Sequence, residues 1–167
     1  MSNPFQEARA SLQNIPEEIF QLWLDDRIKS RGWPPLGINW HGYLLGHPLS
    51  FWQETKWSKE FIKINYDSIA DISKNILDDL MDSFNTGRVT LTTMFVGDSI
   101  PRMNNINKYI SETNKLPGGP IIVILNNGLL EIVEGNHRVA VLLALQDKYP
   151  NKYLNQQIAW VGRQTSM

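Results

Sequence analysis

The chain has 167 residues, 42% of them hydrophobic and 20% charged, which fits one compact domain, or a small domain with an extension, that buries a core unaided. Net charge is −1; residues 1–90 carry 9 Lys/Arg against 12 Asp/Glu and residues 91–167 carry 7 against 5, so neither half is a basic footprint for DNA or anionic lipid. The complete lack of cysteine excludes disulfides, thiolate metal sites and a cysteine nucleophile.

The N-terminal run MSNPFQEARA lacks the charged-then-apolar pattern of a secretory signal. The longest purely apolar stretch, Val139 to Leu145, is too short to cross a bilayer, so a cytoplasmic location with no membrane partner is expected. Two helices open the chain. Asn3 caps the first, Pro4 occupies its first position, and Phe5, Ala8 and Leu12 share a face. The second starts at Pro16 with Glu17 and Glu18 at the positive end of its dipole. Its apolar face is Ile19, Leu22 and Trp23, and it ends at Arg27, Lys29 and Arg31 before Gly32.

Residues 36–60 read as irregular and aromatic, with Trp40, Tyr43, Phe51, Trp52 and Trp57. Rings pinned to a core are the expectation, and a ligand-stacking wall is the alternative. His41 and His47 lie six apart, which suits no helix-face metal pair, so structural or solvent-facing histidines are expected. Phe61 to Ile64 reads as a short strand. Ile69, Ile72, Ile76, Leu80 and Phe84 form an amphipathic helical stripe closed by Gly87. The β-branched run Val89 to Val96 predicts a strand, and residues 102–112 a helix with Ile106, Tyr109 and Ile110 inward. Pro117-Gly118-Gly119-Pro120 forces a turn.

The chemistry concentrates in residues 120–146. Ile121 to Leu125 is a buried strand, Asn126-Asn127-Gly128 a tight hairpin turn, and Leu129 to Val133 the returning strand. Gly135 then breaks the strand, and the helix over Val139 to Leu145 is apolar all round and therefore buried. Such a helix presents unpaired N–H groups and a positive dipole end at its start. Gly135 leaves its backbone open to a ligand, Asn136 suits the N-cap, and His137 and Arg138 add cationic or hydrogen-bonding groups. Cations there oppose the dipole by roughly 0.3–1 kcal/mol each, a cost that a bound anion reverses. Glu134-Gly135-Asn136-His137-Arg138 is accordingly read as an anion-binding turn, most simply for nucleotide phosphates. The purely structural alternative pairs Arg138 with Glu134 or Glu131 and lets His137 cap the turn.

Pro101-Arg102, a short helix, Pro120-Ile-Ile-Val, and a hairpin into Glu134-Gly-Asn-His-Arg-Val-Ala together resemble the ParB/sulfiredoxin superfamily over residues 96–146. Its motif reads approximately Asp/Glu/Gly-Gly-x-(His/Arg)-Arg-x-x-Ala. The resemblance implies binding of ATP, ADP or CTP, with Gly135, Asn136, His137 and Arg138 on the phosphates and Arg102 a further contact. Sulfiredoxins need a cysteine where this chain has Asn136, so sulfinic-acid reduction is excluded. Partition proteins append a helix-turn-helix domain, whereas 29 residues follow Arg138 here, so specific DNA binding is not expected. Serine-kinase-like members carry an acid where Glu134 stands.

The resulting expectation is an α+β fold, a small mixed sheet with packed helices of ParB/sulfiredoxin-like type. An α-helical N-terminal extension (residues 1–60) would precede a nucleotide-binding domain (residues 61–167). The leading function is a phosphotransferase or NTPase. Glu134 would act as base or Mg²⁺ partner, and His137 and Arg138 would stabilise the transferring phosphate of a nucleotide onto water or a small hydroxyl acceptor. A non-catalytic nucleotide switch, binding a protein partner through the Trp-rich segment 33–57, is one alternative. A nuclease or toxin-like enzyme is the other.

Overall fold

The computed structural model describes residues 3–36, 40, 42–153 and 156–164. The chain runs α1 (Pro4–Ser11), α2 (residues 17–31, with a π-helical segment Phe20–Leu24), α3 (Leu49–Gln53), β1 (Thr55–Lys63) and α4 (Asp71–Thr86). It continues through α5 (Leu91–Phe95), α6 (Ser99–Thr113), β2 (Ile121–Asn126), β3 (Leu129–Glu134), α7 (Asn136–Lys148) and β4 (Gln156–Gln164). The fold is α+β. Four strands form a mixed sheet in the order β1-β4-β2-β3, with β2 and β4 parallel and the two outer pairings antiparallel.

Both faces of this sheet are covered, which is why β2 reads as an unbroken apolar run rather than an alternation. Ile121 and Val123 face a core with Leu77, Leu80, Met103, Ile110 and the buried side of α7. Ile122 and Ile124 face the opposite way, onto Ile19, Phe20, Trp23, Ile28, Trp40 and Trp52. Residues 1–60 thus supply the second covering layer, and the expected boundary at residue 60 falls inside β1. The rings of the aromatic stretch are core: Trp40 and Trp52 are buried, and Trp52 packs on Trp23 at 5.1 Å. His47 is structural, stacked on Phe51 at 3.8 Å and hydrogen-bonded through Nε2 to the buried Glu131 carboxylate at 2.8 Å. His41 lies outside the described residues.

The first two helices form as expected. Asn3 Oδ1 accepts the Phe5 N–H at 2.8 Å, and Gly32 ends α2 with a φ of 81°. The turn Asn127-Gly128 takes the positive φ angles (54° and 79°) that a two-residue hairpin requires. The outer strand β3 is shielded along its free edge by the segment leading into α4. Ala70 N–H donates to Leu130 O at 2.8 Å, and Ile132 N–H to Ser73 Oγ at 2.8 Å.

Four expectations fail. Val89 to Val96 is not a strand but contains α5, because its threonines act as caps. Thr90 N–H donates to Thr93 Oγ1 at 2.7 Å and Thr92 N–H to Asp79 at 2.7 Å, so local side-chain bonds defeat β propensity. The strand expected over Phe61 to Ile64 instead starts at Thr55, where its neighbour β4 extends the pairing. On α4 the buried residues are Ser73, Leu77, Leu80 and Ser83, while Ile72 and Ile76 are exposed. Tyr109 on α6 is likewise exposed, and Met103 takes the inward position.

The pairing of β1 with β4 carries a measurable ion pair. Arg163 Nη1 and Nη2 donate to the two Glu60 carboxylate oxygens at 2.8 and 2.7 Å, and this holds the Glu60 carboxyl down at about 2. A depressed carboxyl stabilises the fold above its unfolded value near 4.5, and that contribution fades as pH falls toward 2. Both groups are partly solvated, so the pair contributes under about 1 kcal/mol. Glu60→Gln should therefore lower the urea midpoint at pH 7 and converge on wild type near pH 2. A constant offset across that range would remove the pair from the acid dependence.

Candidate functional site

Where β3 meets α7, Gly135 has a φ of 112° and ends the strand, so it occupies the cap position and Asn136 becomes the first helical residue. Asn136 was expected as the cap; the reversal follows from the chain direction, which only glycine tolerates there. No side chain caps α7. The first-turn N–H groups of Asn136, His137 and Arg138 lack intrahelical partners at the positive dipole end, and these three residues line a cavity.

That cavity, about 890 Å³, is lined by every residue singled out from the sequence: Arg102, Glu134, Gly135, Asn136, His137 and Arg138. It also takes in Arg27 from α2, which sequence reasoning did not mark as a site residue, and Tyr43, one of the rings of the ligand-stacking alternative. Three guanidinium groups and the Glu134 carboxylate line it, and with Asp98 paired to Arg102 the site keeps a small excess of positive charge in a chain of net charge −1. Ile72, Ile76, Val96 and Ile106 give the lining an apolar part. The two isoleucines that left the expected core stripe of α4 are thus cavity lining.

Each expected residue has a definite partner. Arg138 Nη1 donates to the carbonyls of Pro117, at 3.0 Å, and Gly119, at 2.5 Å, bracing the Pro-Gly-Gly-Pro turn against α7. Its ion pairing with Glu134 or Glu131, the structural alternative, is not what the side chain does. Glu131 bonds His47 and Asn126, and the nearest cation to Glu134 is Arg27, with Nη2 at 3.8 Å from Oε2. Burial raises the Glu134 carboxyl above its ordinary range, against the opposing pull of Arg27, Arg138 and Arg102. Arg102 Nη2 holds both oxygens of Asp98 at 3.1 and 2.8 Å.

His137 does not cap the turn. Its Nε2 hydrogen-bonds Ser99 Oγ at 2.8 Å, at the start of α6. Burial, reinforced by Arg102, lowers its pKa below the usual 6.5, so it is a neutral hydrogen-bonding group at pH 7 rather than a cation. Asn136 Oδ1 is buried with no hydrogen-bond partner among the described residues. An unpaired buried acceptor is costly and marks where a donor or cation would sit.

The space above Gly135 is also filled differently from expectation. A side chain there would lie 2.8 Å from Ile121 Cγ2 and 3.2 Å from Arg138 Nη2, so the glycine makes room for the protein's own side chains. Among the described residues no group of three or more His, Cys, Asp or Glu is arranged to hold a metal. No described helix is long and apolar enough to cross a membrane. No family model, curated protein or solved structure matches this chain.

Proposed function

We propose that the chain is a nucleotide-binding protein of ParB/sulfiredoxin type that transfers or hydrolyses a terminal phosphate at the start of α7. The observation that supports this is the mixed lining of the cavity, in which a helix N-terminus and three arginines lie beside apolar side chains. Phosphates would accept from the N–H groups of Asn136, His137 and Arg138, while Ile72 and Ile76 would cover the base. ATP, ADP and CTP are the candidates that the resemblance implies.

In the reaction, an acceptor oxygen, from water or a small hydroxyl compound, attacks the terminal phosphorus. The bond from phosphorus to the bridging oxygen breaks, and the nucleotide leaves shortened by one phosphate. Glu134 takes the acceptor's proton; its raised pKa brings its basicity closer to neutral, as a general base requires. The buried Asn136 Oδ1 is a hard oxygen donor that suits Mg²⁺, which would neutralise phosphate charge when bound. Few protein ligands are needed, since Mg²⁺ at such sites keeps water and phosphate oxygens. Neutral His137, held by Ser99, would donate or accept a hydrogen bond without adding charge.

A thermal-shift panel of ATP, ADP, CTP and their Mg²⁺ complexes tests the reading. Ligand at 100-fold its dissociation constant stabilises a fold by about 2.7 kcal/mol, which a melting curve resolves easily. Stabilisation by at least one nucleoside polyphosphate is expected. A flat response to all of them would overturn the proposal.

A further inference from the structure

Of the three arginines at the cavity, two are hydrogen-bonded, each through one terminal nitrogen. Arg138 holds the Pro117 and Gly119 carbonyls, and Arg102 holds the Asp98 carboxylate. Arg27 differs. Its one ion pair, to Glu134, spans 3.8 Å, well beyond the 2.7–2.9 Å of a charge-assisted hydrogen bond. Its Nε is buried with no partner among the described residues. The group is nevertheless held in place: its Cζ lies 4.4 Å from the centre of the Tyr43 ring, and Arg31 Nη2 steadies Tyr43 by donating to its hydroxyl at 3.2 Å. An unsatisfied buried N–H is costly, and Arg27 Nε is one although the side chain is a third exposed. Arg27 is thus preorganised, cationic and under-bonded at the wall where Glu134 stands.

We infer that Arg27, carried by the N-terminal helix α2, is the residue that binds the charged end of a phosphate-bearing ligand in this cavity. The inference rests on the anion-binding reading of the α7 N-terminus, and it assigns the N-terminal layer a part in the site. Residues 1–60 do more than cover a sheet face: without α2 the cavity loses the one of its three arginines whose side chain makes no hydrogen bond among the described residues. The fork geometry matches two oxygens of one phosphate, which a lysine ammonium cannot reproduce. Arg138, in contrast, acts mainly as the brace that fixes the 117–119 turn.

The test measures binding of pyrophosphate, and separately of ATP and CTP, to the full chain by calorimetry. The forms compared are wild type, Arg27→Met and Arg27→Lys. Wild type should bind pyrophosphate. Arg27→Met should bind it about tenfold more weakly or worse, the scale of losing charge-assisted hydrogen bonds. Arg27→Lys should recover only part of the loss. Tighter binding of ATP or CTP than of pyrophosphate identifies a nucleotide as the ligand, and equal binding identifies a smaller phosphate compound; both keep Arg27 in its role. If Arg27→Met binds as wild type does, Arg27 is only a structural partner of Glu134, while the nucleotide reading survives. If wild type binds neither pyrophosphate nor any nucleotide, both readings fail together. Should the variants not fold, phenylglyoxal labelling of the wild-type chain decides the question. Pyrophosphate should slow modification of Arg27, mapped by mass spectrometry, and an unchanged rate would overturn the inference.

Discussion

Gly135→Ala should destabilise the protein by about 3 kcal/mol and weaken ligand binding at the same time. Two costs combine at this position. A φ of 112° forces an L-residue into a left-handed conformation, which costs roughly 1–2 kcal/mol. The added methyl would also lie 2.8 Å from Ile121 Cγ2, inside a strand with no room to yield, and overpacking of this kind costs about 1–3 kcal/mol. Relief in the other direction means displacing Arg138 Nη2, at 3.2 Å, which would disturb the side chain that holds the 117–119 carbonyls. Gly128→Ala is the control. It shares a positive φ of 79° but has nothing within 4 Å, so it should carry only the conformational cost. Guanidinium midpoints that fall equally in the two variants would show that packing at Gly135 is unimportant.

The turn itself was legible because its signals are local. A strand-breaking glycine, an apolar helix and an asparagine-glycine hairpin each dictate backbone geometry within a few residues. The same holds for α1 and α2, whose caps and stop signals sit beside them in the chain. What the sequence could not disclose is which distant charges meet. Arg27, Arg102 and Arg138 are separated by tens of residues in a nearly neutral chain, and only the packing of α2 and α6 around the start of α7 gathers them. Arg27 looks like an ordinary favourable charge near a helix C-terminus. Its partners Tyr43 and Glu134 are not within reach of any local pattern.

Periodicity also misled where function competes with burial. Ile72 and Ile76 fit an amphipathic stripe, yet the face of α4 that meets the core is built on Ser73, Leu77, Leu80 and Ser83. Two of those are serines because they accept or make specific hydrogen bonds, Ser73 to the β3 edge and Ser83 to Arg88 O and Thr93. The hydrophobic residues displaced from that face line the cavity instead. Likewise β4 takes its place by pairing with β1 and β2, and β1 extends back to Thr55 where β4 pairs with it. Non-local pairing decides both.

Glu134→Gln separates transfer from mere binding. The exchange keeps the size of the side chain and removes only its charge and basicity. The ionised carboxylate repels bound phosphates, so the amide should bind nucleotide as well as wild type or better. Turnover should fall by about 100-fold or more, the usual scale for loss of a general base. The pH dependence carries the same signature. Burial raises the Glu134 carboxyl, so the rising limb of the wild-type rate profile should lie above the ordinary carboxylate range, and the variant should lack it. Stability must move in the opposite sense. A group whose folded pKa is raised stabilises the fold fully below its unfolded value, near 4.5, and that contribution is lost as pH climbs through the raised value. Wild type should therefore lose stability relative to Glu134→Gln as pH rises, while it gains activity. Those opposed trends follow from one half-buried carboxylate that the fold disfavours in its ionised form and the reaction needs in that form. Equal turnover in the two proteins would remove Glu134 from the chemistry and leave a site that holds phosphate without transferring it.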